Sequence, residues 1–272
     1  PLVIGTHALI QEDVVFSRLG LALVDEQHRF GVKQRESLKS KGEQVDTLIM
    51  SATPIPRTLA LAVYGDLDVE TIDETPPGRK AVRTVYIHES KKGEVYEIVR
   101  QEVASGNQAF LVFPIIDEAE SEDSPAADLK AAVKMFEVLS KGPFKGIPLG
   151  LIHGRLKEEE KDAVMGRFVS GEVKVLVATT VIEVGIDVPK ATVMVIENPE
   201  RFGLAQLHQL RGRVGRSERH SYCFLVTNDT SEASEKRLKY FSGCNDGFQL
   251  AEYDLQTRGP GDFLGVRQHG MP

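Results

Sequence analysis

Tryptophan is absent from this chain, cysteine occurs twice, and aromatic residues make up only 7% of the 272 positions. Cys223 and Cys244 show no Cys-x-x-Cys spacing and no nearby histidine pair, so a disulfide framework and a cysteine-held zinc site are excluded. Both are read as reduced thiols. No apolar run approaches the ~20 residues of a membrane-spanning helix and no signal-peptide pattern occurs, which excludes a membrane role and leads us to expect a cytoplasmic protein. Basic residues are outnumbered, 33 against 40 acidic, for a net charge of −7. That balance argues against a chain that coats nucleic acid, yet it leaves room for one positively lined groove. Also missing is any Gly-x-x-x-x-Gly-Lys-Ser/Thr, the loop whose backbone N–H groups cradle nucleotide phosphates.

What is present is globular: 41% hydrophobic and 27% charged residues, over a length that suits two domains better than one core. The chain opens directly on the apolar run Pro1-Leu2-Val3-Ile4 without capping residues, so further sequence is expected before it. Leu21-Ala22-Leu23-Val24 is a continuous apolar run like an interior strand of a parallel sheet, and it ends in Asp25-Glu26-Gln27-His28. Ligands of open α/β sheets sit at the carboxyl ends of strands, where these two carboxylates fall. In a nucleotide-hydrolysing site the first would hold Mg²⁺, directly or through water, and the second would orient and deprotonate the attacking water. An acidic helix cap is the plainer alternative. Thr47-Leu48-Ile49-Met50 then leads into Ser51-Ala52-Thr53-Pro54, where two hydroxyls either cap the next helix or bond the acidic motif or a nucleic acid.

Glu74-Thr75-Pro76-Pro77-Gly78-Arg79-Lys80 is a breakpoint that places a domain boundary near residue 80. Strand and helix patterns then alternate: a strand at Arg83–Ile87, a helix through Val95, Ile98, Val99 and Val103, a strand at Ala109–Phe113, and a helix through Leu129, Val133, Phe136 and Leu139. Such alternation implies a parallel sheet covered by helices. Between the last two, the acidic stretch from Asp117 to Ser124 is expected to be a surface loop without chemistry. The strand Leu149–Ile152 ends in His153-Gly154, where the imidazole either touches a nucleic-acid backbone or is a satisfied loop histidine. A charged helix from Lys157 to Val169 comes after it. The strand Val173–Ala178 ends in Thr179-Thr180 and leads to Gly185 and Asp187, so hydroxyls, a glycine and a carboxylate are expected to converge at one strand end. The threonines are placed as donors to a phosphate oxygen, and Asp187 either accepts from a ribose hydroxyl or holds nearby arginines.

Those arginines come next. After the strand Val193–Ile196 and a helix over Leu204–Leu210, the stretch His208-Gln209-Leu210-Arg211-Gly212-Arg213-Val214-Gly215-Arg216 sets Arg213 and Arg216 three residues apart, each preceded by glycine. Two guanidinium forks can therefore meet one anion with little bulk between them, and the planar fork matches phosphate oxygens bidentately. A solvated basic turn is the plainer alternative. The tail reads as a helix from Ser231 to Phe241, a turn at Gly243, a second helix to Gln256 and a glycine-rich hook. Such a hairpin can swing and carry Arg258 with it.

The spacing Gln209-x-x-Gly212-Arg213-x-Gly215-Arg216 resembles the last motif of superfamily 2 helicases and translocases, and the acidic and hydroxyl motifs stand upstream in the order of that family. The tail from Gly247 through Leu255-Gln256-Thr257-Arg258-Gly259-Pro260-Gly261 to Gly265-Val266-Arg267-Gln268 looks like the translocation motif of RecG-type branch-migration helicases. A similar motif occurs in transcription-repair coupling translocases, typically with alanine where this chain has Pro260. The resemblance covers essentially the whole chain, save for the absent phosphate-cradling loop.

It implies an α/β fold of RecA-like parallel sheets covered by helices. Residues 1–80 would be the C-terminal part of a first RecA-like domain, 81–228 a complete second one, and 229–272 a helical hairpin with a hook. It further implies ATP and Mg²⁺ as cofactors and branched DNA, such as stalled forks and Holliday junctions, as the substrate. Single-strand-binding or replication-fork proteins would be partners, and the protein would be a monomer. Catalysis would fall to Asp25, Glu26, His28, Arg213 and Arg216. Nucleotide binding would fall to Asp25, which also ligates Mg²⁺, with Gly185, Asp187, Gln209, Arg213 and Arg216. Coupling and DNA contact would involve Ser51, Thr53, His153, Thr179, Thr180, Thr257, Arg258 and Gly259. Two rival readings are a transcription-repair coupling translocase and a non-catalytic nucleic-acid-binding module with helicase architecture. Retention of Asp25, Glu26, Arg213 and Arg216 weighs against the second.

Overall fold

The computed structural model describes the chain except residues 1, 12, 26–40, 43–44, 52–67, 73, 75–79, 115–124, 180–186 and 259–272. The acidic stretch, most of the breakpoint near residue 80, and the hook lie outside the described residues. Two compact units are formed, Pro1–Pro54 and Ile55–Pro272.

In the first unit, β1 (Leu21–Val24) and β2 (Asp46–Ile49) pair in parallel, with Leu21 opposite Asp46 and Val24 opposite Ile49. Ala22 and Val24 are buried, whereas Leu21 and Leu23 are each 56% exposed and Leu48 is 52% exposed. The continuous apolar run is thus covered on one face only in this chain. Lys41 ties the preceding loop down, its Nζ donating to the carbonyls of Gln11 at 2.6 Å and Val14 at 2.7 Å.

The second unit is built on six strands: β3 (Arg83–His88), β4 (Gln108–Phe113), β5 (Leu149–Ile152), β6 (Val175–Thr179), β7 (Ala191–Glu197) and β8 (Tyr222–Thr227). Their order is β3-β8-β7-β4-β6-β5, and every neighbouring pair is parallel. This is the RecA-like α/β arrangement that the alternation of strands and helices implies. β8 is absent from the elements expected on sequence grounds, although Tyr222-Cys223-Phe224-Leu225-Val226-Thr227 is apolar and rich in strand formers; it follows directly on the polar arginine loop.

Among the described residues, six helices cover the sheet: α1 (Lys92–Ala104), α2 (Pro125–Lys141), α3 (Glu158–Val169), α4 (Leu204–Arg211), α5 (Glu232–Gly243) and α6 (Gly247–Arg258). Because side chains alternate along a strand, one set of residues faces each layer. Ala109, Leu111, Val175, Val177, Val193, Val195, Phe224 and Val226 pack with Val95, Tyr96 and Val99 of α1 and with Leu139 of α2. Their neighbours Phe110, Val112, Leu176, Met194, Ile196 and Leu225 pack with Phe168 of α3, with Leu204, Leu207 and Leu210 of α4, and with Leu238, Phe241 and Leu250 of the α5–α6 hairpin. Each fully buried Val, Leu, Ile, Phe or Met among them contributes about 1.5–3 kcal/mol. The hairpin therefore belongs to the same core as the sheet. β7 is buried at all seven positions, while the edge strand β3 is buried at none of its six.

The chain steps from β6 on one side of β4 to β7 on the other. Strands of about five residues separate the two ends of the sheet by roughly 16 Å. Which end a loop occupies therefore decides what it can reach.

Candidate functional site

The arginine loop comes directly after α4, whose eight residues carry no side-chain cap from Gly203. The cap comes from another helix: Leu204 N–H donates to Asp254 Oδ2 of α6 at 2.8 Å. Asp254 is 3% exposed, and its Oδ1 accepts from Arg237 Nε of α5 at 3.2 Å, while Arg237 Nη2 donates to the Phe202 carbonyl at 2.5 Å. Both hairpin helices are thereby fastened to the start of the helix that delivers the arginines.

The other end of α4 is fastened by Arg211, which is 4% exposed. Its Nη1 donates to the carbonyl of Phe241 at 3.2 Å and to Thr84 Oγ1 at 3.4 Å, and its guanidinium stands 4.4 Å from the centroid of the Phe241 ring. Nη2 donates to His208 Nδ1 at 3.0 Å, which requires that nitrogen to be unprotonated. Burial lowers the Arg211 pKa below its ordinary value, yet an arginine stays charged at neutral pH. Neither Arg211 nor the Arg237–Asp254 pair is among the residues expected from the sequence. The latter two are far apart in the chain and belong to no spacing pattern, whereas Arg211 sits inside the motif but has the look of another surface cation.

Beyond α4 the chain keeps turning, with Arg213 N–H bonded to the Leu210 carbonyl at 3.0 Å and Val214 N–H to that of Arg211 at 3.3 Å. Gly215 then adopts φ +73°, a left-handed conformation suited to glycine, and redirects the backbone so that Arg216 points outward. Arg216 Nε donates to the Gly212 carbonyl at 3.2 Å, and Nη1 stands 3.5 Å from Asp187 Oδ1. With side chains 30% and 60% exposed, at the limit of a hydrogen bond, this pair holds Arg216 only loosely. Arg213 and Gln209 are half-buried and each has interactions of its own.

Thr179 and Asp187 do not converge as expected, and Thr180 and Gly185 lie outside the described residues. Thr179 ends β6, level with His153 just beyond β5, because Ile152 pairs with Ala178; these two lie together at the carboxyl ends of adjacent strands. Asp187 instead meets Arg216, whose loop lies beside Val82 and Ser221, the residues preceding β3 and β8. The sequence order masks this, since parallel strands carry their beginnings and ends to opposite edges. His153 Nδ1 accepts from Arg155 N–H at 3.3 Å, and burial pulls the imidazole pKa below its ordinary value. The result is a neutral ring in a local turn at pH 7.

In the first unit, Asp25 and Ser51 are both exposed and stand just past the adjacent ends of β1 and β2, with Met50 N–H bonded to the Val24 carbonyl at 2.8 Å. Glu26, His28, Thr53, Thr180, Gly185 and Gly259 lie outside the described residues, as does the Arg258 side chain. Thr257 Oγ1 donates within its own helix, to the Tyr253 carbonyl at 2.8 Å. Among the described residues no cluster of His, Cys, Asp and Glu could enclose a metal, and no helix is long and apolar enough to cross a membrane.

Residues 90–218 match the family described as helicase conserved C-terminal domain. The chain is 63% identical over 270 residues to the ATP-dependent DNA helicase RecG of Thermotoga maritima, covering 99% of this chain and 34% of that protein. It is 48% identical over 272 residues to its counterpart in Bacillus subtilis, covering 100% and 39%. A solved structure of RecG bound to a three-way DNA junction superimposes with a TM-score of 0.79 at 60% identity, over 96% of this chain and 33% of that one. S. cerevisiae Dbp5 bound to RNA and ADP BeF3 superimposes with a TM-score of 0.60 at 17% identity, over 93% and 66%, a likeness of fold alone. The chain spans about a third of the length of the curated relatives it matches.

Proposed function

We propose that this chain, which belongs to the RecG-type helicases, is a motor segment of an ATP-driven DNA helicase acting on branched DNA such as stalled forks and Holliday junctions. The observation that carries this reading is the arginine loop: a rigidly fastened helix ends in a glycine turn that presents Arg216 to solvent, its Nη1 held only loosely by a carboxylate at 3.5 Å. Such a group can leave Asp187 for a phosphate at little cost. Preorganised guanidinium groups aimed at a transferring phosphoryl stabilise charge that develops in the transition state.

In this reading Arg213, Arg216, Gly185, Asp187 and Gln209 are assigned to the nucleotide, and Asp25, Glu26 and His28 to its hydrolysis. Magnesium bound with ATP would neutralise phosphate charge, and Asp25, an exposed hard-oxygen ligand at the end of β1, suits that cation. Residues 1–80 act as part of the first motor domain, 81–228 as the second, and 229–272 as the hairpin and hook. Thr179 and His153 lie at the sheet end opposite the arginines and are assigned, with Thr180, to the DNA backbone. Ser51, Thr53, Thr257, Arg258 and Gly259 are assigned to coupling hydrolysis to movement along it.

Arg216→Ala in the complete protein is the test. Turnover of ATP should fall by about 10³ while the affinity for forked DNA stays within about twofold, because the group acts in the transition state and away from the DNA. Near-normal hydrolysis would reassign Arg216 to structure.

A further inference from the structure

The left-handed turn at Gly215 is closed from outside its own loop. A Cβ built on Gly215 would lie 2.6 Å from Cγ2 of Val82, so the space above this glycine is already filled by a methyl group. Val82 immediately precedes β3 and is packed, half-buried, against the core cluster that also contains Val214. Its place is fixed by the sheet, since Arg83 N–H donates to the Ser221 carbonyl at 2.9 Å. Two constraints thus coincide at one residue: the backbone conformation favours glycine, and the neighbouring chain leaves room for nothing larger.

This matters for Arg216 because its own side-chain contacts are weak. A 3.5 Å approach to a carboxylate that is 60% exposed, and one bond to a backbone carbonyl at 3.2 Å, do not set the direction of a long flexible side chain. The backbone turn one residue earlier does. We propose that Val82 is a positioning residue for the arginine loop, its branched side chain wedged over Gly215 so that the left-handed turn holds the direction from which Arg216 is presented. This rests on the phosphate-facing role proposed for Arg216.

The complete protein carrying Val82→Ala, Val82→Leu or Val82→Thr tests it by steady-state ATPase kinetics with forked DNA, alongside DNA affinity and thermal melting. Alanine removes the wedge and leucine moves the branch away from Cβ. Both should lower kcat on the order of tenfold to a hundredfold, the effect of misplacing a catalytic group by about an ångström. KM for ATP and the DNA affinity should stay within about twofold, since aiming a group that acts in the transition state alters turnover more than ground-state binding. Threonine keeps the branched shape and should restore kcat. Unchanged kcat in both the alanine and leucine variants overturns the proposal. So does failure of threonine to restore it, or a loss of kcat matched by equal losses in DNA affinity and melting temperature. Arg216→Ala is run beside them: normal turnover there overturns the reading of Arg216 itself, whereas normal turnover only in the Val82 variants leaves that reading standing and removes the wedge.

Discussion

Lys92 holds its ammonium 2.9 Å from Glu197 Oε1 at the carboxyl end of β7, and Tyr96 Oη donates to the same oxygen at 3.1 Å. Burial pushes the Glu197 carboxyl above its ordinary pKa of 4.5, and Lys92 works against that rise. Lys92→Met would remove the opposing charge, so the folded chain would hold the Glu197 proton still more tightly than the unfolded chain. That contribution to stability is complete below the ordinary value and is lost as pH rises through the folded one. Lys92→Met should therefore cost about 3 kcal/mol near neutral pH, the low end for a broken buried pair, because 22% of the Lys92 side chain remains exposed. Melting curves at about pH 5 should show a smaller deficit than at about pH 8, since protonation relieves the uncompensated carboxylate. Equal deficits at both would mean that Glu197 does not carry the charge.

Among the elements, α4 is the one whose boundaries are set by others. It is short and amphipathic by only a few residues, and its first N–H is capped by Asp254 seventeen residues beyond the Arg237 that Asp254 also binds. Removing the carboxylate leaves a buried guanidinium and an open helix start together. Asp254→Ala should cost about 3–5 kcal/mol in urea unfolding of the chain, and Asp254→Asn distinctly less, because the amide oxygen still accepts from Leu204. Equal losses would show that the charge paired with Arg237, and not the cap on α4, is what Asp254 contributes.

Across the whole molecule, stability depends on coverage. β4 and β7 are buried on both faces, whereas β1 and β2 leave Leu21, Leu23 and Leu48 more than half exposed. Hydrogen exchange on the 272-residue chain should accordingly be fast in Leu21–Val24 and Asp46–Ile49 and slow in Gln108–Phe113 and Ala191–Glu197. Uniform protection would mean that the open face is covered, for example by a second copy. The same chain lacks a Gly-x-x-x-x-Gly-Lys-Ser/Thr loop to hold the β and γ phosphates, so its ATPase activity with forked DNA should be negligible. Measurable DNA-stimulated hydrolysis would require another phosphate cradle.

The sequence by itself determined the layers and the motif: alternating apolar runs with helical patterns between them dictate a covered parallel sheet, and two glycine-preceded arginines mark a tight basic turn. These are local properties, written in periods of about two and 3.6 residues. Only the tertiary structure decided the strand order, which puts β7 in the middle and β3 at an edge although both sequences read as strands. It also decided that Thr179 and Asp187, eight positions apart, go to different ends of the sheet, because in a parallel sheet the loops entering the strands and the loops leaving them lie at opposite edges. The fastening of α4 by Arg211, Arg237 and Asp254, and the filling of the space over Gly215 by Val82, depend on residues brought together across 17 to 133 positions. Burial and hydrogen bonding at that range leave no periodic trace in the chain.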